Sequence, residues 1–203
     1  MIKTTKITIT IAAIILLTSI GIFASFKYSK NQTESSIYSV YLDKTAPESP
    51  ILLSDQSPYH LSIEKINLSA PINININGNH QSEYNKALET GVAHLLGSAL
   101  PGNPGNAVIF GHSSYFRNAA GDYKEIFENL NDLEQDDQIV IESKLKKYLY
   151  KIIDKQVIPS NKVDIVTQNY SEHKLTLVTC WPIGSNEKRL AITAVLLEQI
   201  DNQ

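Results

Sequence analysis

From Tyr59 onward the apolar residues come in short runs of period two, a spacing that rules out a helical core for most of the chain. Ile72, Ile74 and Ile76 alternate with Asn73, Asn75 and Asn77 before Gly78, giving a strand with one dry and one wet face. Leu61, Ile63, Ile66 and Leu68 keep nearly the same alternation, broken by a bulge-like step. Residues 107–110 read as a short buried strand, and residues 139–141, 147–153, 175–179 and 190–197 add further strands. Only residues 83–89 and 123–129 suggest brief helices. Seven or eight short strands with so little helix predict a mainly β fold, a closed or nearly closed barrel.

The first quarter of the chain has a different composition. Residues 7–26 form an uncharged apolar stretch long enough to cross a bilayer as one helix. Lys3 and Lys6 precede it and Lys27 and Lys30 follow it, so the flanking charges do not set its orientation. The stretch exceeds the usual apolar core of a cleaved signal peptide, and Ala24-Ser25-Phe26 is a poor cleavage site. The expectation is a retained transmembrane signal anchor at 7–26, with residues 1–6 cytoplasmic and the rest outside the membrane. Residues 27–57 are polar and interrupted by Pro47 and Pro50, a composition that suits an extracytoplasmic tether. Residues 58–203 then form the folded domain.

The formal net charge of -3 offers no basic excess for phosphates, so a general nucleic-acid binder is excluded. The chain contains 1 Cys, which allows no intramolecular disulfide, and no Cys/His cluster at zinc spacing accompanies it. A lone thiol is a small buried hydrophobe, an intermolecular link or a nucleophile.

Cys180 ends the run Leu175-Thr176-Leu177-Val178-Thr179, where Pro182 stops the strand soon afterwards. A thiol at a strand end is held rigidly yet reaches a cleft, as a nucleophile must. Read alone, it fits an inert buried Cys equally well. Arg189 follows a turn-like stretch containing Pro182, Gly184 and Asn186, so a chain reversal brings it beside Cys180. A guanidinium there lowers the thiol pKa or holds a developing oxyanion; the competing reading is a surface Arg. His112 follows Gly111 at the end of the 107–110 strand, where an imidazole can exchange protons with a thiol. His60, His80 and His173 lie in polar surroundings. His94 sits in a segment between Gly91 and Gly105 that reads as a loop bending over the cleft. Its expected role there is to position substrate, outside proton transfer, and a solvated loop histidine is the alternative.

Together these segments resemble the sortases, whose signature Thr-Leu-x-Thr-Cys closes one strand with an Arg on the next. Residues Thr176-Leu177-Val178-Thr179-Cys180 and Arg189 match it, and Gly111-His112 matches the family's Gly-His pair. Lys65-Ile66 and Ala70-Pro71-Ile72 are similar to the opening family strand, with Glu64 where Pro is common. The resemblance extends over roughly residues 59–197. It implies an eight-stranded sortase-type β-barrel outside the cytoplasmic membrane. It also implies that Cys180 attacks a Leu-Pro-x-Thr-Gly-like sorting motif in secreted proteins, forming a thioacyl enzyme. An amine of cell-wall precursor or pilin then releases the product. His112 is implied as general acid and base. Arg189 is implied to position substrate and hold the oxyanion, with the backbone or hydroxyl of Thr179 contributing. No cofactor is implied; some members use calcium, and no acidic cluster in this sequence is assignable to it.

Two other readings compete. L,D-transpeptidases and other Cys-His amidases act on peptidoglycan, but the former carry Gly before the nucleophile, where this chain has Thr179. A catalytically silent, membrane-tethered binding module on the same barrel leaves the joint presence of His112, Cys180 and Arg189 unexplained.

Overall fold

A computed structural model describes residues 58–113, 121–162 and 166–202. The expected anchor at 7–26 and the tether at 27–57 lie outside the described residues. No helix among the described residues is long and apolar enough to cross a membrane.

Eight strands close into a barrel. In chain order they are β1 (Tyr59–Ile63), β2 (Leu68–Ile76), β3 (Val92–Leu95), β4 (Gly105–Phe110), β5 (Gln138–Glu142), β6 (Lys146–Pro159), β7 (His173–Trp181) and β8 (Lys188–Asp201). Around the barrel the order is β1-β2-β3-β4-β7-β8-β6-β5, with β5 returning to β1. The pairs β2–β3 and β4–β7 are parallel and the rest antiparallel.

Each parallel pair needs a long crossover, and the chain supplies two kinds. Between β2 and β3 runs the helix α1 (Gln81–Thr90), which buries Ala87 and Leu88 against Ala93. Between β4 and β7 the chain builds the β5–β6 hairpin on the far side before it returns. The bulge-like step expected after Ile63 is a change of direction. A 3-10 turn, Glu64–Ile66, ends at Asn67 in the left-handed region (φ 52), and the Asn67 amide donates to the Glu64 carbonyl at 2.9 Å. Asn tolerates that backbone, so β1 and β2 become an antiparallel hairpin rather than one bulged strand.

Two sequence expectations shift. The brief helix expected at 123–129 is a 3-10 helix at Glu128–Asp132. Residues 92–95, expected as loop, form β3; the run is too short for period-two alternation to register, and all four residues are buried.

Strand alternation divides the apolar residues between two faces. Leu61, Ile109, Ile139, Tyr150, Leu177 and Ile192 belong to the cluster that fills the barrel. Val108, Phe110, Val178 and Ala191, one residue out of phase, form a second cluster on the outer face of β4, β7 and β8. Leu95, Ile158 and Val166 complete it.

Leu177 is fully buried at the centre of the first cluster. Leu177→Ala should cost roughly 2–5 kcal/mol, since a close-packed barrel collapses poorly onto a cavity. Urea unfolding of the two proteins checks this.

Candidate active site

The parallel register of β4 and β7 pairs Ile109 with Leu177 and Phe110 with Val178. Two residues beyond that last pair stand His112 and Cys180. The chains stay together over this extension. The Gly111 amide donates to the Val178 carbonyl at 3.2 Å, the Thr179 hydroxyl to the Gly111 carbonyl at 2.8 Å, and the Ser113 hydroxyl to the Cys180 carbonyl at 2.7 Å. On the other side of β7, the antiparallel register places Arg189 directly opposite Cys180. Directly opposed residues share a face. His112, Cys180 and Arg189 therefore stand side by side on three adjacent strands, on the outer face and at one end of the barrel. The expected adjacency of Cys180 and Arg189 is present in the fold.

Gly111 makes this approach possible. A Cβ there would lie 2.6 Å from the Phe127 ring, so any larger residue pushes the ring off the strand. The fully buried Phe127 also donates its amide to the His112 carbonyl at 2.9 Å, fixing the backbone of the histidine from the barrel side. Sequence reading did not single out Phe127 or Ser113 for the site. Ser113 directly follows the Gly-His pair, but a serine there carries no signal until β7 is alongside.

Burial sets the charge state of the histidine. Loss of solvent pushes the His112 imidazole down from 6.5 to about 4, so it is neutral at physiological pH and can accept a proton. Cys180 is half-buried. Arg189 is only 7% exposed, and its Nη1 donates to the carbonyls of Asn186 and Lys188, both at 2.9 Å. These bonds hold the guanidinium on the β7–β8 turn rather than out in solvent.

Two expectations need correction. His94 does not line a loop over the cleft. It is fully buried within β3, paired with Ile109 and in phase with Val92, both of which pack inside the barrel, whereas His112 faces outward. Its Nδ1 accepts from the Asn75 amide at 3.3 Å, which leaves the proton on Nε2 to donate to the Ala99 carbonyl at 2.9 Å. Ser98 Oγ lies 3.0 Å from the same Nε2. His94 therefore braces the turn between β3 and β4, and the Gly-rich sequence around it disguised a strand. The Thr179 hydroxyl is likewise directed to Gly111, in phase with Leu177 and on the opposite face from Cys180, so it is not offered to an oxyanion beside the thiol. Among the described residues no group of three or more His, Cys, Asp or Glu side chains is placed to hold a metal ion.

The fold and the site thus define a closed β-barrel that presents a thiol, an imidazole and a guanidinium together on one outer edge. The chain belongs to the sortase family, a family of transpeptidases: the family model for the sortase domain matches residues 61–197. It is 27% identical over 135 residues to sortase D of Bacillus subtilis (strain 168), a match covering 65% of this chain and 60% of that protein. Among solved structures, a Clostridium perfringens sortase D5 transpeptidase superposes with a TM-score of 0.59 at 24% identity, covering 82% of this chain and 99% of that one. Sortase C-1 from Actinomyces oris gives 0.59 at 25% identity, covering 81% and 84%.

His94 carries a pH-dependent contribution to stability. Burial lowers its pKa from 6.5 to about 4, so the unfolded chain takes up the proton first as pH falls. The stability it supplies is complete above 6.5 and is lost as pH drops toward 4. At pH 5 the loss should be about 2 kcal/mol relative to pH 7. Burial lowers the His112 pKa in the same way, so urea unfolding at the two pH values should show the two losses added, and His94→Gln should remove about half of the dependence while retaining more activity than His112→Gln. Ser113→Ala, by freeing the strand extension that carries His112, should lower kcat about tenfold with little change in KM. Steady-state kinetics of the variant beside the parent protein reads this directly.

Proposed function

We propose that this chain is a membrane-anchored cysteine transpeptidase acting on secreted proteins that carry a C-terminal sorting motif of the Leu-Pro-x-Thr-Gly type. The observation that carries this reading is the shared outer face of His112, Cys180 and Arg189 across three hydrogen-bonded strands. Few other uses explain a lone thiol set between a neutral imidazole and a guanidinium.

The sequence of steps follows from those positions. Neutral His112 takes the thiol proton, and the Cys180 sulfur attacks the threonine carbonyl of the motif. Arg189, held by two backbone carbonyls through Nη1, turns its remaining N–H donors to the oxyanion and the neighbouring substrate carbonyls. As the carbon–nitrogen bond to glycine breaks, His112 returns its proton to the departing amine and the acyl group stays on sulfur as a thioester. An incoming amine, from cell-wall precursor or a pilin lysine, attacks that thioester while His112 accepts its proton. The new amide forms and the thiol is restored. Atoms and charge balance with no metal or redox partner.

Residues 7–26 anchor the chain in the cytoplasmic membrane in this reading, with the barrel outside. The described chain enters the barrel at Tyr59, whose neighbour His60 pairs with Glu142 near the end remote from Cys180.

Cys180→Ala should abolish cleavage and transfer while leaving urea stability within about 1 kcal/mol, since a half-buried thiol contributes little packing. Mass spectrometry after incubation with a sorting-motif peptide should show the N-terminal fragment on Cys180 as a thioester. Peptide turnover by Cys180→Ala at the native rate would remove the assignment. Because His112 is needed neutral to take the thiol proton, the acid limb of kcat/KM should lie well below 6.5, toward 4.

A further inference from the structure

Phe127, Leu130 and Leu133 recur at every third position, and all three side chains are fully buried in the cluster that fills the barrel. A 3-10 helix turns once in three residues, so this spacing lines one apolar row along the 3-10 helix Glu128–Asp132 and its two flanking residues. The backbone of the same row forms a directed chain of hydrogen bonds. The Leu133 amide donates to the Leu130 carbonyl and the Leu130 amide to the Phe127 carbonyl, both at 3.3 Å. The Phe127 amide then donates to the His112 carbonyl at 2.9 Å. Each residue in the row accepts from the side remote from the histidine and donates toward it. His112 is thus held by one end of a short helix whose own bonds are long. Such a helix also leaves carbonyls open at its last turn, so it gains from a donor outside itself.

Lys155 is that donor. Its Nζ donates to the carbonyls of Asn131 and Leu133, both at 2.8 Å. An ammonium carries three N–H donors and a full positive charge, which suits the carbonyl end of a helix. The place of Lys155 on β6 makes the reach possible. It lies opposite Ile192, a residue of the barrel cluster, so its side chain is on the inner face of the sheet. It also lies beyond Lys151, where the pairing of β6 with β5 ends, so the inner face meets the helix there. Lys65, from the turn between β1 and β2, grips the same segment differently. Its Nζ pairs with the side chains of Glu134 at 3.3 Å and Asp137 at 2.8 Å. Those contacts come after Leu133 and stand outside the chain of bonds that ends on His112.

We propose that Lys155 is a positioning residue for His112: by closing the last turn of the 3-10 helix it keeps Phe127 seated under the strand end, and so keeps the imidazole in register with the Cys180 thiol. The proposal rests on the reading of His112 as the base that serves Cys180. Lys155 acts through Leu133, Leu130 and Phe127 rather than on the reacting atoms. Its loss should therefore slow proton transfer and leave substrate affinity alone.

The test compares full-length protein in detergent with its Lys155→Met, Lys155→Arg and Lys65→Met variants by two rates. The first is turnover of a quenched-fluorescence Leu-Pro-Xaa-Thr-Gly peptide. The second is alkylation of Cys180 by iodoacetamide at pH 7, which reads one site because the chain contains 1 Cys. Alkylation needs no knowledge of the substrate, and it slows when the imidazole no longer helps the thiol ionise. Lys155→Met, which keeps the stem and removes the donors, should lower kcat about fivefold with KM within about twofold, and should slow alkylation about threefold. Lys155→Arg, which keeps charge and donors, should restore both rates to within about twofold of the parent. Lys65→Met should leave both unchanged. Parent-like rates in Lys155→Met, a rise in KM at constant kcat, or an equal loss in Lys65→Met overturns the proposal. If Lys155→Met does not fold, Lys155→Gln, shorter but still a donor, decides by the same two rates. A parent protein inert on every peptide, with alkylation slowed in Lys155→Met, sinks the sorting-motif reading and supports the role of Lys155. An active parent with both rates unmoved in Lys155→Met sinks only that role.

Discussion

The parallel pairing of β4 with β7 is the contact on which the site depends. These strands are separated in sequence by the β5–β6 hairpin and its connections, so their register is purely a tertiary matter. A slip of one residue would turn His112 and Cys180 to opposite faces, because side chains alternate across a sheet. The register is held along its length by interior packing of Ala107 and Ile109 against Leu175 and Leu177. Past the last ladder pair, the hydroxyls of Thr179 and Ser113 take over and bind the opposite chain's carbonyls.

The two hydroxyl bonds explain why the signature residues differ so much in burial and role. Thr179 is buried and faces the barrel interior, where its hydroxyl satisfies a carbonyl that the ladder has left open. Cys180, the next residue, faces outward and stays half-buried. Adjacent residues of one motif thus serve the fold and the site separately, and the sheet pleat does the sorting. His94 and His112 show the same division across β3 and β4. Both are desolvated and neutral at physiological pH. The first has its ring nitrogens engaged by Asn75, Ser98 and Ala99 in support of a turn, whereas the second stands beside the thiol.

Sheet closure also gives the barrel two apolar surfaces instead of one. The interior cluster supplies most of the buried area, as expected of a small barrel filled by side chains. The outer cluster exists because the β6–β7 connection crosses β4 and β7 and covers them through Val166.

The sequence by itself determined most of the strand content, the end of β7 within a residue of Cys180 and a chain reversal that returns Arg189 toward it. Period-two alternation, a proline and a short turn are local signals that survive without neighbours. It also carried the Gly111-His112 pair, since only glycine fits under the Phe127 ring, although the ring itself could not be foreseen. Tertiary structure alone decided which face each side chain takes. It moved His94 from an expected loop into β3, because four buried residues gain their strand identity from β2 and β4 rather than from their own pattern. It directed the Thr179 hydroxyl to Gly111, and it gave Ser113, Phe127 and Gln168 their partners. Those roles are hydrogen bonds and contacts between segments far apart in the chain. Such contacts leave no local periodicity, and they come into being only when the barrel closes.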